Sequence, residues 1–146
     1  MWRAARHLGV ATSDIADIVQ EVFLVVHRRI DSFEGRSALR TWLYGICVRV
    51  VSDYRRKAFR SRERLSADVQ LSGQVPSPET RLTLLNLLSR LSAPHRELLV
   101  LYEVEGLTMR EVSEVLDMPL QTAYSRHKVA RRTLRGFMQE GDADEG

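Results

Sequence analysis

An all-α fold is predicted for this 146-residue chain: two small helical domains joined by a flexible linker, the C-terminal one a helix-turn-helix. Three observations predict it. No stretch alternates apolar and polar residues as a half-buried strand does. Only four prolines and eight glycines interrupt long stretches in which apolar residues recur at helical spacing. Finally, residues 107–137 read as a short capped helix, a tight turn and a strongly basic helix.

Residues 2–9 read as the end of a helix, stopped by Gly9. Over 14–30, Ile15, Ile18, Val19, Val22, Val26 and Ile30 share one helical face. A loop containing Gly35 covers 31–36, after which Ser37 is placed to cap a helix over about 38–58. Its buried face reads Leu39, Leu43, Ile46, Val50 and Tyr54. Its other face carries Trp42, Arg49, Asp53, Arg56 and Arg60. From Ser61 to Pro78 the pattern dissolves into Ser, Gly, Pro and charged residues, which is linker chemistry.

Ser77-Pro78-Glu79 starts a new helix whose Leu82, Leu85 and Leu88 face a core. Ser92-Ala93-Pro94 ends it and starts another over about 94–105, with Leu98, Leu99, Leu101 and Tyr102 inward, until Gly106. Thr108-Met109-Arg110-Glu111 is a capping box, in which a hydroxyl caps the helix start and a carboxylate reaches back. Val112, Val115 and Leu116 follow at helical spacing. Asp117-Met118-Pro119 is a turn, with Pro119 suited to the first position of the last helix. That helix lays Ala123, His127, Ala130 and Leu134 along one face, expected to pack on Val112 and Leu116. The predicted domains are 1–60 and 78–140, with linker 61–77 and an acidic tail 141–146. Each domain is small, and docking to a partner is expected to stabilise both.

The formal net charge is only +3, so its distribution carries the information. Residues 49–64 hold seven cations against two acids, and 126–135 hold five cations and no acid. Two separate basic patches point to two contacts with a polyanion. Cys47 is the single cysteine, which excludes an internal disulfide and a cysteine metal site; amid apolar neighbours it reads as a small core residue. No apolar run approaches the roughly 20 residues of a membrane span. A cytoplasmic setting fits, and no membrane insertion is expected. His7, His27, His95 and His127 share no ligand spacing. No phosphate loop and no nucleophile–base pair stands out, so neither catalysis nor a cofactor is expected.

Three motifs carry the functional reading. On the last helix, Tyr124, Ser125, Lys128, Arg131, Arg132 and Arg135 lie opposite the packing face. Cations there can reach phosphates, and Ser, Tyr or Lys can reach base edges in a major groove. A basic run alone is more often a solvated face; the capped helix and turn before it favour DNA binding. In the second motif, Trp42 stands near the start of a face continuing into Arg49, Arg56 and Arg60, with Arg36 and Arg40 upstream. An aromatic beside cations suits melting or single-stranded DNA. On composition alone, a core tryptophan with solvated arginines is the simpler reading. The third motif, over 14–23, sets Asp14, Asp17, Gln20 and Glu21 beside an apolar face. Acids in a first turn complement the helix dipole, and the same rim suits protein docking; composition does not separate the two.

Together these segments resemble one family, the extracytoplasmic-function (ECF) sigma factors of the sigma-70 family. Asp14-Ile-Ala-Asp-Ile-Val-Gln-Glu-Val-Phe23 resembles the core-binding helix of region 2.2. Residues 37–46 and Asp53-Tyr-Arg-Arg56 resemble regions 2.3 and 2.4. Residues 91–98, Glu105-Gly-Leu-Thr108 and Thr122-Ala-Tyr-Ser-Arg126 resemble region 4. Order and spacing agree over about residues 2–138. The resemblance implies a subunit that directs bacterial RNA polymerase core to promoters. Asp14, Asp17, Gln20, Glu21, Phe23 and Leu24 would dock on the β′ clamp, and region 4 on the β flap. Arg36, Ser37, Arg40, Trp42, Arg49, Asp53, Arg56 and Lys57 would contact the −10 element, where the loop 31–37 holds a base flipped from the melted strand. Thr122, Tyr124, Ser125, Arg126, Lys128, Val129, Arg131 and Arg132 would contact double-stranded −35 DNA. An anti-sigma factor is an expected partner.

The two elements lie roughly 55 Å apart along the duplex. A fully extended linker of about 18 residues reaches roughly 60 Å and so can just span them. Two positions depart from the family pattern. Val129 stands where an arginine is usual, and Arg49 where an asparagine is usual. A regulator using only the helix-turn-helix, with 1–60 as a dimerisation module, is the alternative; it has no need of Trp42 beside Arg49, Arg56 and Arg60. The resemblance also implies a longer region 2.1 than the residues before Gly9 supply. A version extended upstream is therefore expected to bind core polymerase more tightly than this chain, and equal retention of the two in a core-enzyme pull-down would contradict this.

Overall fold

The computed structural model describes residues 1–66 and 83–144. Among these, every regular element is helical: α1 (Trp2–His7), α2 (Ile15–Arg29), α3 (Leu39–Ser66), α4 (Leu84–Arg90), α5 (Ala93–Leu99), α6 (Met109–Val115) and α7 (Leu120–Asp144). Short 3₁₀ turns, Thr12–Asp14 and Ile30–Ser32, flank α2, and a π-helical turn, Val100–Val104, continues α5.

The N-terminal half is a small bundle in which α2 packs on α1 and α3. Gly9 ends α1 with φ +104°, a left-handed conformation that a side chain resists. Ile15, Ile18 and Val22 are buried as the periodicity predicts, while Ile30, at the frayed end of α2, is 42% exposed. The helix start at Leu39 also departs from expectation. The Trp42 amide donates to the Ala38 carbonyl, so Ser37 stands too early to cap it, and Leu39 is 48% exposed. Farther along α3, Ile46 and Val50 are buried, but so are Tyr44, Cys47, Val48 and Val51. The reason is that α3 has two partners, α2 on one side and α6 on another. Burial pushes the Cys47 thiol up to about 11, which keeps it neutral and unreactive. The helix runs to Ser66 instead of ending near 58. The predicted helix start at 77–79 and Leu82 lie outside the described residues.

In the C-terminal half, α7 packs across α4, α5 and α6. Thr83 caps α4, accepting from the Asn86 amide at 3.3 Å. Leu98, Leu99, Val100 and Leu101 are buried completely or nearly so. Gly106, at φ +74°, then turns the chain toward α6. Pro119 sits one residue before α7 and not inside it, its carbonyl accepting from the Ala123 amide at 3.0 Å. Buried residues of both halves join in one contiguous core that includes Ala4, Val22, Val51, Leu88, Leu101 and Val112.

Arg96 is the buried cation of this core, 6% exposed. Its guanidinium donates to the carbonyls of Leu88 at 2.7 Å, Ser89 at 3.0 Å and Leu91 at 2.8 Å. These are carbonyls at the end of α4, where backbone amides run short: Leu88 also accepts from the Leu91 amide at 3.1 Å. Burial, reinforced by the like charge of Arg55, lowers Arg96 to about 10, so it remains charged at neutral pH. Arg96→Met keeps the aliphatic stem and removes every donor. It is expected to cost about 2–3 kcal/mol, read as a lower urea midpoint by circular dichroism.

Candidate nucleic-acid interface

The capped helix, turn and basic helix are built as a unit. The Thr108 hydroxyl accepts from the Glu111 amide at 3.2 Å, and Glu111 Oε1 accepts from the Thr108 hydroxyl at 2.9 Å and its amide at 3.4 Å. Asp117, at φ +51°, makes the turn. Ala123 and Ala130 are fully buried, and small residues at these points let α7 approach α6 closely. His127 is held on the inner side by Glu103 at 2.9 Å and by the edge of Tyr102.

The opposite side of α7 faces solvent. Tyr124 is 56% exposed and Val129 47%, with Thr122, Ser125, Lys128, Arg131 and Arg132 exposed around them. The Ser125 hydroxyl donates to the Gln121 carbonyl at 3.0 Å, which leaves its oxygen free to accept. Arg131 lies 3.8 Å from Glu103 and is the outward cation nearest an acid. Arg126 differs from the others of its set. It is half-buried, and its charge acts on Glu97 inside the fold, opposing the burial that raises the Glu97 carboxyl.

The second set is spread over the loop and α3. Arg36 is exposed and pairs with Glu34 at 2.8 Å. Trp42 is half-buried, resting on the core with its ring 5.2 Å from that of Phe33. It therefore combines the core and surface readings of the sequence. Arg49 and Lys57 are exposed, and Asp53 forms an ion pair with Arg56. Ser37 is half-buried, and Arg40 donates to the Glu105 carbonyl of the other half.

On α2, Asp17, Gln20 and Glu21 are exposed beside Phe23 (55%) and Leu24 (51%), a patch with acidic and apolar parts together. Asp14 stands apart, because the Tyr54 hydroxyl donates to its carboxylate at 2.7 Å.

Sequence reasoning missed the seam between the halves. Glu105 enters it with its side chain only 7% exposed. One carboxylate oxygen accepts from the Tyr44 hydroxyl at 2.6 Å; the other lies 3.6 Å from Arg3 and has no hydrogen bond. Burial and the bond to Glu105 raise the Tyr44 phenol. Nearby, the Thr41 hydroxyl donates to Glu111 Oε2 at 3.3 Å. The capping-box glutamate thus holds its own helix with one oxygen and α3 with the other. No local signal marks these partners, which are 61 and 70 residues apart in sequence.

Comparison with known proteins identifies the architecture. Residues 1–61 match the family model for Sigma-70 region 2, and 81–134 that for Sigma-70, region 4. The ECF RNA polymerase sigma-E factor of Escherichia coli (strain K12) is 30% identical over 146 residues, spanning 89% of this chain and 76% of the relative. The chain belongs to the ECF sigma factors. Another similar protein is the RNA polymerase sigma factor NccH of Alcaligenes xylosoxydans xylosoxydans, 29% identical over 94% of this chain and 80% of the relative. The fold of this ECF sigma factor is similar to that of the sigma factor RpoE in complex with the anti-sigma factor NepR from Bartonella quintana, at TM-score 0.77 and 22% identity over 94% of this chain and 89% of that one. It is also similar to CnrH in complex with the cytosolic domain of CnrY, at TM-score 0.72 and 25% identity over 95% and 80%. The family makes this an RNA polymerase sigma factor, a class of transcription factors and not of enzymes.

The seam makes its own prediction. Glu105→Ala removes the carboxylate that Tyr44 and Arg3 face. A compact chain of this length has a radius of gyration of about 15 Å. Small-angle scattering is expected to show the variant larger by several ångström, with unchanged helical content; an unchanged radius would count against the seam's dependence on Glu105.

Proposed function

We propose that this ECF sigma factor brings RNA polymerase core to promoters by two DNA contacts on separate halves. Residues 78–140 form the −35 unit and 1–60 the polymerase and −10 unit, with 61–77 as linker and 141–146 as acidic tail. The observation that carries the reading is the outward row on α7: Tyr124, Ser125, Lys128, Arg131 and Arg132 lie exposed on a helix whose other side is fixed by the capped α6. Set in the major groove, it offers cations to phosphates and Tyr, Ser and Lys to base edges. Val129 offers a methyl surface there and no donor, so contact with a thymine methyl replaces bidentate readout of guanine at that position. The half-buried Arg126 serves to position α7 from within.

The exposed rim Asp17, Gln20, Glu21, Phe23 and Leu24 docks on the β′ clamp, with apolar anchors inside an acidic edge. Asp14 supports that rim through Tyr54. The loop before α3, with Trp42 and Phe33 beside it, receives a base flipped from the melted −10 strand; Arg36, Arg40, Arg49 and Lys57 follow the backbone. Ser37, Asp53 and Arg56 complete this face. Two promoter elements roughly 55 Å apart exceed the span of a closed chain. Binding both requires the seam at Glu105 to open and frees Arg40 for DNA. Core polymerase, which takes the N-terminal half on the β′ clamp and α7 near the β flap, supplies the energy for opening. The work is cytoplasmic and needs no cofactor. One of the two similar structures contains the anti-sigma factor NepR, and an anti-sigma factor that favours the closed form fits this chain as well.

The deciding experiment is in vitro transcription from a promoter library. Initiation is expected only when core polymerase and this chain are both present, and Lys128→Ala is expected to reduce it about tenfold. The same substitution lowers the salt slope of −35 duplex binding by about one if Lys128 meets a phosphate, and leaves the slope unchanged if it meets a base. Absence of core-dependent initiation would overturn the proposal.

A further inference from the structure

A second concentration of positive charge lies away from the outward row of α7. The α1–α2 connection, the C-terminal part of α3 and the α4–α5 corner enclose a cleft of about 770 Å³. Six arginines line it: Arg6, Arg55, Arg56, Arg60, Arg62 and Arg96. None of the described lining residues is an acid. Asp53 takes up Arg56, and Glu97 is the acid whose charge acts on Arg55 and Arg96. Among the described residues no carboxylate pairs with Arg6, Arg60 or Arg62.

The two walls come from different halves, and their cations converge. A Cβ placed on Gly9 would lie 2.8 Å from Arg96 Nη1 and 3.8 Å from Arg55 Nε. Arg55 belongs to α3 and Arg96 to α5, so closing the chain drives like charges together. The like charge of Arg55 is one cause of the lowered Arg96 value. An anion lodged beside them relieves that repulsion and gains ion pairs from the arginines of the α1 and α3 wall, while Arg96, whose nitrogens already donate to four carbonyls, adds only its charge. Guanidinium groups match phosphate oxygens with two parallel hydrogen bonds, and several set around one cleft suit several phosphates in a chain. A cavity of this volume fits a small molecule and not a duplex. Phe59, 63% exposed on the same wall, offers a flat face for stacking.

We propose that this cleft binds a small anion carrying a chain of phosphates, as free polyphosphate or as part of a nucleotide, and that its binding holds the two halves closed. The site shares Arg56 with the −10 face above and is otherwise separate from the promoter and polymerase contacts, and its test needs neither.

The full chain would be titrated calorimetrically with inorganic tripolyphosphate, ATP and orthophosphate at roughly 50 mM salt, where charge contacts are only partly screened. Saturable binding of one tripolyphosphate is expected, at least about tenfold tighter than orthophosphate. Arg6→Ala with Arg62→Ala should weaken it by at least about tenfold, while Lys128→Ala with Arg132→Ala on α7 should leave it unchanged. ATP binding more tightly than tripolyphosphate identifies a nucleotide as the source, and equal affinity identifies the bare chain; either supports the cleft. Tripolyphosphate should also reduce the radius of gyration of the Glu105→Ala chain. No saturable binding, equal affinity in the folded Arg6/Arg62 variant, or equal loss in the α7 variant would overturn the proposal.

Discussion

The guanidinium of Arg96 is placed where a helix end, a helix start and the other half of the molecule meet. It donates to Leu88, Ser89 and Leu91, so α4 can stop inside the fold without leaving buried carbonyls unpaired. The same contacts fix the corner from which α5 leaves, and through it the floor on which α7 lies. A longer contact, 3.5 Å to the Leu8 carbonyl, reaches the end of α1. Gly9 is the residue that tolerates this approach, since a side chain there would meet Arg96. Burying a charge is costly unless hydrogen bonds replace its water, and here three close carbonyls do so.

Two carboxylates extend the same logic along the seam. Glu111 belongs to a local capping box and to a contact with Thr41. Glu105 brings a nearly buried carboxylate against Tyr44 and Arg3 and leaves one oxygen without a hydrogen bond. An incompletely satisfied buried group makes a joint easier to open than an apolar seam of equal area. That suits the opening of the two halves that the proposed promoter contacts require.

The surfaces divide accordingly. The row on α7 and the rim on α2 face outward in the closed form. The arginine cleft exists only while the halves touch, because each half supplies one wall. The outward cations of α7 are thus exposed in this structure, whereas Arg40 is held across the seam by the Glu105 carbonyl.

Helix existence was legible in the sequence, as were the Thr108–Glu111 cap, the stops at Gly9 and Gly106, and the outward row on α7. All depend on groups within a turn or two of one another, where spacing determines contact. The errors share one cause. Tyr44, Cys47, Val48 and Val51 fall outside the predicted stripe because a periodicity shows which residues share a face, not how many partners the helix has. Asp14 and Arg126 look like free surface groups by spacing, yet Tyr54 and Glu97 claim them from other helices. The sequence by itself determined an all-α chain with two basic segments and the motifs of a sigma factor. Only the tertiary structure decided that Glu105, Arg96 and the cleft arginines meet across the molecule, because those contacts join residues far apart in the chain and leave no local periodicity behind.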